Sequence, residues 1–154
     1  FNYVPPLIGF SSIGRKDSLN NIEATGEFVW NLVTLPQVEA MNQTCKAVPP
    51  EVNEFDIAGL STAPSRLVKV PRVAQSPVSF ECRCTQILQM KNLQGESVET
   101  WMVFGEVIGV HIEEHLISTG IYDTANAQHV LRGGGPADYF SIGPEQLFKI
   151  YRPQ

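Results

Sequence analysis

The feature that most constrains the fold is a strict alternation of residue types between positions 78 and 85. One face of this segment carries Val78, Phe80, Cys82 and Cys84, and the other carries Ser79, Glu81, Arg83 and Thr85. Successive side chains of a β-strand point to opposite faces, so this period of two predicts a strand with one face in the core. Cys82 and Cys84 are therefore predicted to act as small core residues and not as nucleophiles.

A second long strand is predicted after a turn. Residues 92–96 (NLQGE) have the composition of a turn, and residues 100–112 (TWMVFGEVIGVHI) are rich in apolar and β-branched residues. Gly105 and Gly109 within this segment predict bulges or sharp bends. Together the two segments predict an antiparallel hairpin.

Shorter elements are predicted before the hairpin. A strand is predicted at 6–10, and a polar loop leads from it into a short helix. Asp17 or Ser18 is predicted as the N-cap of this helix and Gly26 as its C′ residue. The mostly apolar run 26–33 is typical of a strand that is buried on both faces.

The rest of the chain contains fewer periodic patterns. Pro36 is predicted to begin a helix that extends to about Cys45, and the proline-rich residues 46–77 are predicted to cross the surface with one helical turn at 52–58. A short last strand is predicted at 147–151. Several strands, long connections and short helices predict a mostly β fold that forms a closed or partly closed barrel.

Charge and composition exclude several classes of partner. The 154 residues include 11 Lys and Arg against 16 Asp and Glu, which gives a net charge of −5 and no broad cationic field for nucleic acid. The three cysteines lack paired spacing, and His111 and His115 have no apparent third ligand, so neither a disulfide framework nor a metal site is predicted. No apolar run reaches the length of a membrane span, about 20 residues, so we expect a soluble protein without a membrane partner. The unpaired cysteines are typical of a reducing cytoplasm, and the length predicts a single domain over residues 1–154.

The strongest candidate binding site is the segment 9–18, GFSSIGRKDS. It joins a predicted strand to a predicted helix and contains two hydroxyl residues, two cations and a capping pair, namely Ser11, Ser12, Arg15, Lys16, Asp17 and Ser18. The free N–H groups and the dipole of a helix N-terminus favour an anion, and Arg and Lys add charge-assisted hydrogen bonds. The segment therefore predicts a phosphate-binding site.

The segment has two other interpretations. Gly9 and Gly14 have the spacing of a nucleoside-triphosphate P-loop, but Arg15 interrupts the motif and Asp17 stands where a hydroxyl residue is required. A P-loop is therefore disfavoured. A basic turn that is only solvated stays open as the structural alternative.

Several segments closely resemble the flavin reductase-like, FMN-binding split-barrel family, both in their residues and in their order along the chain. They are FN at the start, PPLIGFSS, GRKDSLNNIEATGEFVWNLV, MNQT, the stretch from APS to PRV, and FGEVIGVHI. The resemblance implies a Greek-key split β-barrel that binds FMN non-covalently as a homodimer, with FAD as an alternative flavin. It also implies that a further N-terminal segment precedes the FN.

The resemblance assigns roles to nine residues. It maps Ser11, Ser12, Arg15, Lys16, Asp17 and Ser18 onto the loop that binds the phosphate and ribityl groups, Asn2 onto a strand at the edge of the flavin ring, and Asn42 and Thr44 onto a segment near the ring. Asp17 is expected to act as a helix cap and not as a ligand. No residue is assigned as catalytic, because in this family the flavin itself carries the redox chemistry.

The function implied is that of an FMN-dependent oxidoreductase of the flavin reductase type, which transfers hydride from NADH or NADPH to flavin. The alternatives are a non-catalytic FMN-binding or flavin-carrier protein and a purely structural barrel. Many reductases of the family carry an Asp-His pair where this chain has Glu99, Thr100 and Trp101. That difference bears on reduction by a nicotinamide nucleotide more than on FMN binding.

Overall fold

The computed structural model of the protein describes residues 1–153, which form two compact units. Unit 1 comprises Phe1–Asn31, Thr62–Val73 and Ser79–His111. Unit 2 comprises Leu32–Ser61, Ala74–Val78 and the chain from Ile112 onward.

The secondary structure is mostly β with short helices. The α-helices are α1 (Asp17–Thr25), α2 (Val38–Gln43) and α3 (Glu54–Ala58). The strands are β1 (Asn2–Tyr3), β2 (Pro6–Ile13), β3 (Glu27–Asn31), β4 (Thr62–Ala63), β5 (Arg72–Val73), β6 (Val78–Lys91), β7 (Ser97–Ile112), β8 (Ile117–Ser118), β9 (Ile121–Tyr122), β10 (Val130–Arg132) and β11 (Tyr139–Ser141). Single turns of 3₁₀ helix occur at Leu35–Gln37, Glu114–Leu116 and Pro144–Gln146.

Unit 1 is built on a five-stranded sheet in the order β1-β2-β7-β6-β3. The predicted hairpin is confirmed: β6 and β7 are neighbours, and in the turn between them the Asn92 N–H donates to the Glu96 carbonyl oxygen at 2.9 Å. Strand β2 pairs antiparallel with β7, and its last residues align with the start of β7, Ser12 opposite Trp101 and Ile13 opposite Thr100. This pairing places the end of β2, and hence the loop that follows it, beside β7.

The core of unit 1 lies between α1 and the sheet. Leu19 and Ile22 of α1 pack with Phe28, Cys82, Trp101 and Val103, all of which are less than 10% exposed. Cys82 is fully buried, and this burial raises the pKa of its thiol to about 11. The prediction that Cys82 acts as a core residue is therefore confirmed.

One expectation for the strands was wrong. Strand β3 is the edge strand of the sheet and is not buried on both faces. Phe28 is buried, but Trp30 on the same face is 38% exposed, and Val29 on the opposite face is only partly buried. The β2–β7 pairing continues through Ile8 opposite Gly105 without an extra residue, so no bulge lies on the β2 side of β7 at this position. A Cβ at Gly105 would lie 2.4 Å from a ring carbon of Phe28, so close packing requires glycine there.

Two further boundaries differ from the predictions. The N-cap of α1 is Lys16, whose backbone is extended (φ −78°, ψ 163°), and neither Asp17 nor Ser18 caps the helix because both are already helical. The end at Gly26 is as predicted, with φ at 71° and its N–H bonded to the Ile22 carbonyl oxygen at 2.8 Å. Residues 147–151 form no strand, and their apolar side chains are exposed.

Unit 2 contains short elements joined by long connections. The helix predicted from Pro36 begins as the 3₁₀ turn Leu35–Gln37, closed by a Thr34–Gln37 capping box, and continues as α2. The helical turn predicted at 52–58 is α3, whose cap Asn53 accepts the Phe55 N–H at 3.1 Å. Among residues 1–153, no helix has the length and apolar character needed to cross a membrane.

Candidate functional site

The loop between β2 and α1 is shaped by its backbone. Gly14 adopts a left-handed conformation with φ at 79°, and its N–H donates to the Glu99 carbonyl oxygen at 2.9 Å. The Lys16 carbonyl oxygen then accepts the N–H groups of Leu19 and Asn20 and so begins α1. The first N–H groups of the helix have no helical acceptor, as at any helix N-terminus, and are available to an anion.

The two serines before the loop lie on opposite faces of β2. Ser12 is buried and its hydroxyl donates to the Gly14 carbonyl oxygen at 2.9 Å, so it stabilises the turn. Ser11 is exposed. Of the two predicted hydroxyl donors, Ser11 is the one whose side chain is open to solvent.

The cations of the loop are held differently. The Nη2 atom of Arg15 donates to Asn20 Oδ1 at 3.2 Å and to a carboxylate oxygen of Glu23, and the guanidinium carbon lies 5.6 Å from the centre of the Trp101 ring. Lys16 is exposed and forms no ion pair within residues 1–153. The loop thus combines one restrained and one free cation.

The charge of the protein is divided unevenly between the two units. Unit 1 contains seven of the 11 Lys and Arg residues and seven of the 16 Asp and Glu residues, whereas unit 2 contains four and nine. The net charge of −5 therefore belongs to unit 2, and the unit with the candidate loop is neutral overall. An anion that approaches this loop meets no net repulsion from its own unit.

An apolar groove lies near the other end of β2. It has a volume of about 310 Å³ and is lined by Asn2, Pro6, Leu7, Ile8, Phe80, Val107, Ile108, Gly109 and Val110. Within it, the Asn2 side-chain amide donates to the Pro5 carbonyl oxygen at 2.9 Å. Unit 1 therefore presents both the candidate anion-binding loop and an apolar groove with an amide at its edge.

The remaining two predicted residues belong to unit 2. Asn42 is exposed on α2, and Thr44 follows the helix with its hydroxyl donating to the Met41 carbonyl oxygen at 2.7 Å. Their assignment to a flavin site stays a prediction.

One buried polar group was not predicted. Glu81 was expected on the polar face of β6, but it is 0% exposed, because the start of this strand is covered on both sides. Its carboxylate accepts the N–H groups of Arg66, Leu67 and Val68 at 2.8, 2.6 and 3.1 Å and pairs with His111 Nε2 at 2.5 Å. No local pattern reveals this site, since all four partners are between 13 and 30 residues away.

The surroundings of Glu81 keep it ionised. Burial raises the pKa of this carboxyl, but the hydrogen bonds from the Arg66 N–H, from His111 and from the N–H groups of Leu67 and Val68 outweigh that effect. The pKa falls from its ordinary value of 4.5 to about 2. Glu81 therefore acts as a charged structural anchor for residues 66–68.

This shift predicts a specific pH dependence of stability. Because the pKa of Glu81 is lower in the folded state, its contribution is fully present above pH 4.5 and is lost as the pH falls from 4.5 toward 2. The free energy of unfolding, measured with urea at several pH values, is expected to decrease across this window. The decrease should be smaller in Glu81→Gln, and equal slopes in the two proteins would contradict the assignment.

The histidines have structural partners. His111 pairs with Glu81, His115 Nδ1 lies 3.1 Å from a carboxylate oxygen of Glu113, and His129 Nε2 lies 2.9 Å from the Tyr122 hydroxyl. Within residues 1–153, no group of three or more His, Cys, Asp or Glu side chains is arranged to hold a metal ion.

The chain matches a known protein family. The family model described as "Flavin reductase like domain" matches residues 2–130. An uncharacterized protein of Halalkalibacterium halodurans is 34% identical over 155 aligned positions, which cover 97% of this chain and 72% of that protein. An uncharacterized protein of Aquifex aeolicus is 33% identical over 129 residues, which cover 79% of this chain and 62% of that protein.

Solved structures agree with the family match. Nitrilotriacetate monooxygenase component B from Bacillus cereus superposes with a TM-score of 0.87 at 27% identity, over 97% of this chain and 74% of that protein. A Shewanella frigidimarina protein with a split barrel domain superposes with a TM-score of 0.84 at 22% identity, over 99% of this chain and 74% of that protein. The expected mostly β, split-barrel fold is thereby confirmed, and the chain belongs to the flavin reductase-like family.

Proposed function

We propose that the protein binds FMN non-covalently and that the loop between β2 and α1 holds its phosphate. The observation that carries this proposal is that two cationic residues, Arg15 and Lys16, directly precede the free N–H groups at the start of α1. A phosphate near neutral pH carries close to two negative charges, and cationic and N–H donors are the groups that bind it most strongly. The residues present therefore fit an FMN phosphate.

The other residues of unit 1 have distinct roles in this proposal. Ser11 adds an exposed hydroxyl, Ser12 holds the turn, and Asp17 stabilises the start of α1 through its favourable interaction with the helix dipole. The groove beside Asn2 offers apolar surface to an aromatic ring system.

We further propose that the protein is a flavin oxidoreductase of the flavin reductase type. A bound flavin would supply the redox chemistry by accepting hydride from NADH or NADPH and passing electrons to a second acceptor. The residues of this chain would bind and orient the flavin, and no acid, base or nucleophile is assigned. Membership of the flavin reductase-like family supports this activity.

A second candidate is a flavin-binding or flavin-carrier protein without turnover. It is favoured by the sequence Glu99, Thr100 and Trp101, which stands where many reductases of the family carry an Asp-His pair. Trp101 is only 7% exposed and packs in the core, so its ring is not presented to a substrate.

One experiment tests both candidates. Purified protein mixed with FMN and passed through a desalting column is expected to retain a flavin absorbance spectrum, and addition of NADH or NADPH is expected to bleach it without oxygen. Retention of the spectrum without bleaching would favour the carrier. A protein that stays colourless would contradict FMN binding altogether.

A further inference from the structure

Arg15 is restrained by contacts with residues of its own unit. Its Nη2 atom bonds both Asn20 and Glu23, which lie one and two turns along α1, and its guanidinium lies over Trp101 of β7. The Arg15 side chain is 47% exposed and that of Glu23 is 37% exposed, so the pair lies at the surface of the loop and not inside the core.

The contacts of Arg15 leave most of its donors available. A guanidinium has five N–H donors in a rigid fork, and both recorded bonds use the same nitrogen, Nη2. Within residues 1–153, the Nε and Nη1 atoms of Arg15 bond no acceptor. Glu23 and Asn20 therefore hold the guanidinium and leave three of its five N–H donors, those on Nε and Nη1, open to another acceptor.

We propose that Glu23 is a positioning residue that orders Arg15 for the phosphate of FMN. This inference rests on the proposed function. A free arginine side chain loses rotamer freedom when it binds an anion, and a side chain that is already ordered avoids much of that cost. The cation–π contact with buried Trp101 and the hydrogen bonds to α1 restrict Arg15 from two directions.

The opposite role, competition with the phosphate, would change the affinity for FMN in the opposite direction. If the Glu23 carboxylate competed with the phosphate for Arg15, its removal would free the cation and tighten FMN binding. If Glu23 instead positions Arg15, its removal weakens FMN binding. The direction of the change in affinity therefore separates the two roles.

The test compares FMN with riboflavin, which has the same ring system and no phosphate. Dissociation constants for both are measured by quenching of flavin fluorescence for the unmodified protein, Glu23→Ala, Glu23→Gln and the control Glu51→Gln. Glu51 is an exposed turn residue of unit 2, so its substitution removes one negative charge outside unit 1. Urea unfolding of each variant checks that the fold is retained.

Glu23→Ala is expected to weaken FMN binding about twofold to tenfold, the cost of ordering one long side chain, and to leave riboflavin binding unchanged. Glu23→Gln keeps an oxygen acceptor for Arg15, so its affinity for FMN should lie between those of Glu23→Ala and the unmodified protein. Glu51→Gln should bind FMN as tightly as the unmodified protein. Unchanged or tighter FMN binding by Glu23→Ala, or an equal loss for FMN and riboflavin, would overturn the positioning role alone. Failure of the unmodified protein to bind FMN would overturn the proposed function as well.

Discussion

Replacement of Glu81 by alanine is expected to lower the free energy of unfolding by about 3–5 kcal/mol, because several donors lose one buried acceptor and each such loss costs about 1–3 kcal/mol. The carboxylate is fully buried and satisfies three consecutive backbone N–H groups together with His111. Alanine would leave the three N–H groups and His111 without this acceptor beside a fully buried position. Buried donors without partners are among the few mechanisms that produce losses of this size.

Urea unfolding monitored by circular dichroism measures this loss, and Glu27→Ala is the matched control. The Glu27 carboxylate accepts one N–H group, that of Lys69, at 2.8 Å in an exposed position. Its removal is expected to reduce stability by about 1 kcal/mol or less, because water can replace the lost acceptor. Similar small losses in the two variants would show that Glu81 does not anchor residues 66–68.

Glu81→Gln refines the same prediction. An amide has one acceptor oxygen and one donor nitrogen, whereas Glu81 uses one oxygen for Arg66 and His111 and the other for Leu67 and Val68. Glutamine can keep only one of these pairs of bonds, so its stability should lie between those of the unmodified protein and Glu81→Ala.

The second large effect is expected on ligand binding. The double variant Arg15→Ala/Lys16→Ala should weaken FMN binding by roughly 1.5–3 kcal/mol for each charged hydrogen bond that is lost, or about tenfold or more per bond. Riboflavin binding should change little, because riboflavin has no phosphate. Isothermal titration calorimetry with both flavins gives the two affinities directly.

The control for this variant is Arg83→Ala/Lys91→Ala. Both residues are exposed on β6 of the sheet that carries the loop, so the control removes the same charge from a site that the proposal does not use. The control should retain FMN affinity. If the two double variants bound FMN equally well, the loop would be the solvated basic turn that the sequence left open.

Local patterns in the sequence predicted the elements that frame the site. The alternation at 78–85 and the turn at 92–96 identified the β6–β7 hairpin, and Gly26 identified the end of α1. These signals are reliable because they depend on a few neighbouring residues and on the fixed periods of strands and helices. The resemblance of the whole chain to the flavin reductase-like family agreed with the fold.

The errors occurred where position in the sheet or packing decides the outcome. The apolar run at 26–33 suggested a strand buried on both faces, but β3 occupies an edge of the sheet, so Trp30 is partly exposed. The close contact between Gly105 and the ring of Phe28, which is distant in sequence, was not predicted. Neither strand order nor a contact across the sheet is encoded in a local pattern.

The sequence by itself determined the loop with its two cations and the strand and helix that flank it, because these are properties of contiguous residues. Only the tertiary structure decided that Arg15 is held by Glu23 over Trp101 and that Glu81 is a buried anchor. Both arrangements depend on partners from separate elements, and whether a charged side chain is solvated, restrained or buried follows from those partners and not from its sequence neighbours.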